Sequence, residues 1–327
     1  MKFIKRFTFL SLLIFAIGYG YLSWSLSNLI LYPYSSSEQT KSRIVNVWGK
    51  TYESFMDSLP SPSDFSAASF DGAEIKGKYF QKSDTTHCAV ILSHGWTDTW
   101  EGSLKYTSVL TDCRCDLVLY DHRAHGTSGG DYPTGGIKEA KDLLAVTDWV
   151  QKEKNLSAKQ IGWLGASWGA SAVLSAGADS KNVAFIIADA PFQDWYSAIF
   201  ERAIRDYGVG VKFVSAGVMG MVNWRAGIDY RNASALKAAS KIEEPVLLIH
   251  SQADSETNSQ QSVNISKNLN PKTTTFHHLD WGSDHTRDVL FNTERYKGLV
   301  NDFLEGLEGG FLKKDYQNPS FKESNRL

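Results

Sequence analysis

No Asp, Glu, Lys or Arg occurs from residue 7 to residue 37, and elsewhere in the 327-residue chain the charges nearly cancel, with 34 Lys and Arg against 36 Asp and Glu. A net charge of −2 leaves no broad basic surface of the kind that holds nucleic acid, so no such partner is expected. The chain has no Walker loop, no Cys/His spacing that would hold a metal, and no internal repeat. Gly18 with Gly20 and Gly208 with Gly210 form Gly-x-Gly pairs, but neither pair has the strand-to-helix context of a dinucleotide site. Cysteine is scarce, at three residues. These absences exclude phosphate-loop enzymes, zinc modules and solenoids, and neither a cofactor nor a metal is expected. The apolar content is 42%, enough to fill one large α/β core.

The uncharged stretch is itself a signal. Lys2, Lys5 and Arg6 precede it, residues 7–22 are dense in Leu, Ile and Phe, and Tyr32-Pro33 marks its end. A helix of about 20 residues crosses the roughly 30 Å apolar layer of a bilayer. Basic residues before the segment place the N-terminus inside and the rest of the chain outside the cytosol. Residues 1–34 are therefore expected to form a single-pass anchor in the lipid bilayer, with Trp24 and Tyr32 suited to its interfacial belt. The alternative is a signal peptide cleaved near Ala16-Ile17-Gly18, which would release a secreted protein. Apolar residues continue past that point through Tyr21, Leu22, Trp24 and Leu26 to Leu31, which favours an uncleaved anchor.

The most informative motif is Gly165-Ala166-Ser167-Trp168-Gly169. It reads G-x-S-x-G between an apolar run, Gln160 to Leu164, and a small-residue helix pattern, Ala170 to Ala176. A strand that turns at once into a helix strains the middle residue and raises its hydroxyl above the helix N-terminus. Ser167 is therefore the candidate nucleophile. Such a serine needs a base, an orienting acid and oxyanion donors. His285 lies in the Gly-containing loop Trp281-Gly282-Ser283-Asp284-His285 after a β-prone segment, and is the candidate base. Asp254 follows the apolar run Val246 to Ile249, which suits a strand buried on both faces, and is the candidate acid. Asp189, Glu256 and Asp284 are its competitors. The order Ser, Asp, His is that of α/β-hydrolases. The oxyanion donors expected are the backbone N–H groups of Trp168 and of Trp96, the latter in the loop after the strand Ala89 to Leu92. His94 in that loop is read as structural.

Five ordered motifs thus resemble the α/β-hydrolase superfamily over residues 64–305: His94-Gly95-Trp96, Asp121-His122-Arg123-Ala124-His125-Gly126-Thr127-Ser128, the Ser167 turn, and the Asp254 and His285 loops. The second is similar to the superfamily's D-x-R-G-H-G-x-S turn, with Ala124 replacing a glycine; Ser251 likewise replaces the glycine of H-G-x-x-D. The closest similarity is to membrane-anchored, single-domain serine hydrolases resembling the catalytic domain of acylaminoacyl and dipeptidyl peptidases. The resemblance implies a mostly parallel central sheet flanked by helices, with a helical cap inserted at about residues 191–243. The expected organisation is a connector at 35–63, the hydrolase domain at 64–308 and a mobile polar tail at 309–327.

In such a fold the strands that follow Cys88 and Cys115 are parallel neighbours, and each cysteine stands six residues before its loop, at His94 and Asp121. A disulfide from Cys88 to Cys113 or Cys115 is one reading and three buried thiols is the other. The expected function is hydrolysis of a small-molecule or peptide acyl substrate, an ester, thioester or amide, through an acyl-enzyme. The alternatives are a peptidase of the same fold, with Glu201, Arg202, Arg205 or Arg225 as anchors for a peptide, and a catalytically silent membrane-tethered binding module. Asn155, Asn232 and Asn264 begin N-x-[ST] sites.

Overall fold

The architecture follows from five apolar runs too short for helices and too continuous for a half-exposed sheet. In the computed structural model, which describes residues 2–83, 86–180 and 183–313, each of these runs is a strand buried along its whole length. The chain opens with α1 (Lys2–Leu31), α2 (Ser37–Asn46) and α3 (Tyr52–Met56). Ser36 and Thr51 cap α2 and α3 by accepting the N–H groups of Gln39 and Ser54. Next come β1 (Ser63–Ala68), β2 (Glu74–Phe80), β3 (Ala89–Ser93), β4 (Asp116–Tyr120), α4 (Ile137–Lys154), β5 (Ile161–Ala166), α5 (Trp168–Gly177) and β6 (Phe185–Asp189). The insertion carries α6 (Trp195–Tyr207), α7 (Ser215–Ala226) and α8 (Ala235–Ala239). The chain then completes β7 (Val246–Ser251), α9 (Gln260–Ser266), β8 (Thr274–Leu279), α10 (Asp288–Phe291) and α11 (Thr293–Glu305).

The eight strands form one sheet in the order β1-β2-β4-β3-β5-β6-β7-β8. The pairs β1–β2 and β2–β4 are antiparallel, and every pair from β4 to β8 is parallel. Apolar layers cover both faces: Leu92, Leu117 and Phe185 pack with Tyr296 of α11 on one, and Ile91 and Trp163 pack with Val146 of α4 and Val173 of α5 on the other. The order reverses at β3, so the loops after β3 and β5 open beside each other at the carboxyl edge. A third cluster lies under the insertion, where Trp168, Phe192, Trp195 and Val222 meet Leu31 at the end of α1.

Several local readings change. Residues 102–110, which the pattern suggests as one helix, form 3-10 turns at Trp100–Tyr106 and Ser108–Leu110. The last helix, expected at residues 291–304, is α11, and the short α10 precedes it across Asn292, where φ is −124° and ψ 38°. The polar connector is part of the body: Thr40 and Ile44 of α2 are buried and Arg43 pairs with Asp98. The expected tail starts with an anchored stretch, because Phe311 is buried against Phe185 and Leu312 bridges Cys113. Residues 314–327 of that tail lie outside the described residues. Cys88 is disulfide-bonded to Cys115, while Cys113 is a buried free thiol. The β3–β4 register explains the choice, since Ala89 pairs with Asp116 and so sets Cys88 beside Cys115.

The Asp121 turn is structural. Asp121 accepts the N–H groups of Trp100 at 2.7 Å and Thr127 at 2.8 Å, and so ties two loops together. Ala124 there adopts φ 56°, a left-handed conformation that suits the glycine it replaces.

Candidate active site

The sharp turn between β5 and α5 puts Ser167 at φ 54°, ψ −114°, outside the ordinary regions for a side-chain-bearing residue. The flanking glycines permit it. A Cβ on Gly165 would press into the backbone of Gly169 and Ala170, and one on Gly169 would meet the carbonyls of Ser93 and His94. The Ser167 N–H donates to the Asp189 carbonyl at 2.8 Å, which locks the turn to β6.

His285 stands in the loop after β8. Its Nε2 lies 2.7 Å from Ser167 Oγ and its Nδ1 lies 2.6 Å from Asp254 Oδ2. With the proton on Nδ1 donated to the carboxylate, Nε2 is free to accept the serine hydroxyl. Asp254 follows β7 and is held on both oxygens. Oδ1 accepts the N–H groups of Glu256 and Thr257, each at 2.8 Å. Oδ2 is also 3.0 Å from His250 Nε2. Ser251, in place of a glycine, joins the two loops by donating its hydroxyl to the Ser283 carbonyl at 2.5 Å.

The electrostatics follow from these contacts. Burial pushes the Asp254 carboxyl up, but the hydrogen bonds from His250 and His285 outweigh it and hold the group well below the usual carboxylate range. Burial pulls His285 down, yet the hydrogen bond and charge of Asp254 leave its imidazole above its ordinary value. Two of the three competing carboxylates are engaged elsewhere. Asp189 accepts the Tyr106 hydroxyl at 2.6 Å, and Asp284 accepts the Ser255 N–H at 2.9 Å. Glu256 reaches His285 only through its charge, which raises the imidazole.

The loop after β3 approaches the serine closely: a Cβ on Gly95 would stand 3.6 Å from Ser167 Cβ. Trp168 opens α5, so helix geometry gives its N–H no intrahelical acceptor. The Trp96 N–H likewise has no backbone acceptor among the described residues. Trp168 follows the serine at the positive end of the α5 dipole, and Trp96 lines the same cavity. Beneath this loop lie His94, His122 and His125. His94 Nε2 accepts the His122 N–H at 2.9 Å and its Nδ1 donates to the Gly95 carbonyl at 2.8 Å, which makes it a neutral brace. Burial lowers His122 to about 3 and His125 to about 4, so both are uncharged at neutral pH.

Above the serine is a cavity of ≈ 1170 Å³. Ser167, His285, Trp96 and Trp168 form its floor, and α6 and α7 form its roof. Two features were not legible as functional in the chain. Lys105 is buried in the cavity lining, donates to Thr286 Oγ1 at 2.6 Å, and is lowered to about 8 by desolvation. Leu26, Leu29 and Ile30 of α1 form one wall. His250 was also missed, because it sits at the end of an apolar run that reads only as strand; its four-residue offset from Asp254 was the available signal.

Residues 130–300 match the prolyl oligopeptidase family. The chain is 31% identical over 239 residues to the uncharacterized protein YqkD of Bacillus subtilis (strain 168), an overlap that covers 72% of this chain and 77% of that one. Among solved structures it is similar to the Pyrococcus furiosus esterase Pf2001, with a TM-score of 0.63, 22% identity, and coverage of 77% of this chain and 94% of the esterase. It is also similar to the Pyrococcus horikoshii acylaminoacyl peptidase, with a TM-score of 0.59, 18% identity, and coverage of 81% of this chain and 44% of the peptidase. These structures share the overall fold, and the chain belongs to the prolyl oligopeptidase family as a serine hydrolase of the α/β-hydrolase fold.

Proposed function

We propose that Ser167, His285 and Asp254 act as a catalytic triad that hydrolyses acyl esters or thioesters. The observation that carries this reading is the unbroken hydrogen-bonded chain from Ser167 Oγ through the imidazole to Asp254, at 2.7 and 2.6 Å. His285 takes the serine proton as Oγ attacks the acyl carbonyl. Asp254 holds the tautomer and stabilises the imidazolium. The N–H groups of Trp96 and Trp168 receive the developing oxyanion. The imidazolium protonates the leaving group, and water then releases the acyl group with the same base. A silent binding module would have no use for this alignment.

Ester chemistry is favoured over peptide cleavage because the charged side chains that would hold a peptide are already engaged. Glu201 accepts from Gln261 at 2.8 Å, Arg202 and Arg205 pair with Asp206 at 3.5 and 3.0 Å, and Arg225 binds α1. The test is a fluorophosphonate probe with the labelled peptide mapped, followed by p-nitrophenyl esters and aminoacyl amides. Labelling at Ser167, absent in Ser167→Ala, with faster turnover of esters, is the expected result. Labelling at another residue overturns the site, and faster turnover of amides overturns the substrate class.

We infer also that α1 anchors the enzyme in a membrane with the hydrolase body outside the cytosol. One helix, Phe3–Leu31, has the length and a mean hydropathy of 1.6 suited to crossing a bilayer. The basic residues before it support that orientation, and the Cys88–Cys115 disulfide fits an oxidising compartment.

A further inference from the structure

The two ends of α1 differ in their surroundings. Residues 3–18 are exposed all round. From Tyr19 onward a stripe at four-residue spacing, Tyr19, Ser23, Ser27 and Leu31, turns against the cap, and its last three members are buried. The facing helix is α7. Gly217 has no room for a side chain because Ser23 and the Tyr19 ring occupy the space. Its N–H donates to Tyr19 Oη at 3.2 Å, and that hydroxyl donates to the Phe213 carbonyl at 3.4 Å. Further along, Arg225 donates to Ser27 Oγ at 2.6 Å and Asn28 Oδ1 at 2.8 Å, and its guanidinium lies over the Trp24 ring. α7 therefore runs beside α1 in the same direction, with its start level with Tyr19.

That level has a consequence for depth. The free stretch 3–18 is about 24 Å long at 1.5 Å per residue, whereas the hydrocarbon layer is about 30 Å thick. Lys5 and Arg6 sit at its start, which shortens the usable apolar length further. A spanning α1 must continue past Tyr19 to satisfy the layer, and the cap residues level with Tyr19 go down with it. Those residues are the turn Val209–Phe213 and the beginning of α7. Three of the cap's exposed large apolar side chains stand here: Tyr207 and Val209 are mostly accessible and Phe213 is 85% accessible, while Trp224 is exposed near the far end of α7. Lys212 lies among them and has a stem long enough to lift its ammonium to the headgroups. The same region borders the cavity, which Val211, Val214 and Val218 of the cap line together with Leu26, Leu29 and Ile30 of α1.

Resting on the anchor and ester-hydrolase readings above, we propose that the cap tip at residues 207–213 is immersed in the outer leaflet, and that the cavity takes acyl esters dissolved in that leaflet, their chains entering between α1 and the cap. The leaflet is the occupant of this apolar surface because the surface is continuous with the helix that crosses it. A second copy or a soluble protein partner would leave the deficit in spanning length unanswered.

The test uses the full chain in phosphatidylcholine vesicles, with a fluorophore on a single introduced cysteine; Cys113 is buried and the other two cysteines are bonded. Labels are placed at Phe213→Cys, at Leu12→Cys on the free part of α1, and at Lys159→Cys next to the amino end of β5. Val209→Cys replaces the first if that variant loses its reaction with fluorophosphonate. Quenching by acyl-chain nitroxide lipids at 213 and 12 but not at 159 is expected. Quenching at 12 alone overturns the proposal and leaves the anchor standing; quenching at neither overturns both. In parallel, Phe213→Asp should slow hydrolysis of umbelliferyl oleate in vesicles about tenfold while umbelliferyl acetate in solution changes less than about twofold. Equal effects on both esters overturn the leaflet route, and failure of the unmodified enzyme on both overturns the hydrolase reading itself.

Discussion

His250 and His285 converge on one oxygen: their Nε2 and Nδ1 atoms lie 3.0 and 2.6 Å from Asp254 Oδ2. His250 is itself oriented, with its Nδ1 2.6 Å from the Ser262 hydroxyl. With its proton on Nε2 it accepts from Ser262 and donates to Asp254. It therefore holds the carboxylate for His285 and competes mildly for its charge. His250→Phe should lower kcat/KM about ten- to a hundredfold, in keeping with about 1.5–3 kcal/mol for a hydrogen bond to a charged group. Because Asp254 then gives more of its charge to His285, the acid limb of the pH profile should move upward. His250→Gln, which keeps a donor, should restore part of the rate. A purely structural histidine would leave the limb where it was.

The unmodified enzyme has its own pH signature. In the proposed triad His285 can take a proton only when neutral, and its imidazole is raised above the ordinary 6.5. Activity should fall as pH drops, with a midpoint above 6.5 in kcat/KM for a soluble ester. Asp254 is depressed, so its ionised form is retained through that range. The stability it contributes is present above its unfolded value and lost only as strong acid approaches its folded one. A midpoint below 6.5 would contradict the geometry.

Glycines 169 and 298 should respond in opposite ways to alanine. At Gly169 the new methyl meets the carbonyls of Ser93 and His94, so backbone must shift. A loss of about 1–3 kcal/mol is expected, together with loss of fluorophosphonate labelling. At Gly298, inside α11 with open space around it, alanine should stabilise by about 0.5–1 kcal/mol. Thermal midpoints measured side by side check both.

Cys88 and Cys115 close a loop of sequence separation 27. Replacing both by alanine should cost about 3.5 kcal/mol. Reductant should lower the thermal midpoint of the unmodified protein and leave the double variant unchanged. Non-reduced peptide mapping should recover the 88–115 pair, with Cys113 alkylated only after unfolding. Recovery of an 88–113 pair would contradict the β3–β4 register.

Much of the fold was readable from local pattern. The apolar runs at Ala89, Val246 and around Leu164 announced buried parallel strands, because a strand covered on both faces has no need of alternation. The flanking glycines of Ser167 announced the turn, because only glycine tolerates backbone carbonyls at that distance. The 3-10 turns near Trp100 were not readable, since α and 3-10 helices share nearly the same periodicity over one or two turns. Phe311 looked like part of a polar tail, because its partner Phe185 lies far back in the chain.

Local chemistry thus settled the strand-turn-helix at Ser167, the loops that carry Asp254 and His285, and the apolar N-terminal helix, since each depends on residues within a few positions of one another. Tertiary packing alone decided that His250 would share an oxygen with His285, that Cys88 would meet Cys115 instead of Cys113, and that the second half of α1 would become a wall of the cavity. Those outcomes depend on register and on partners such as Gly217 and Arg225, nearly two hundred residues away. A four-residue stripe of Tyr19, Ser23, Ser27 and Leu31 has no meaning until a second helix close enough to touch it is in place.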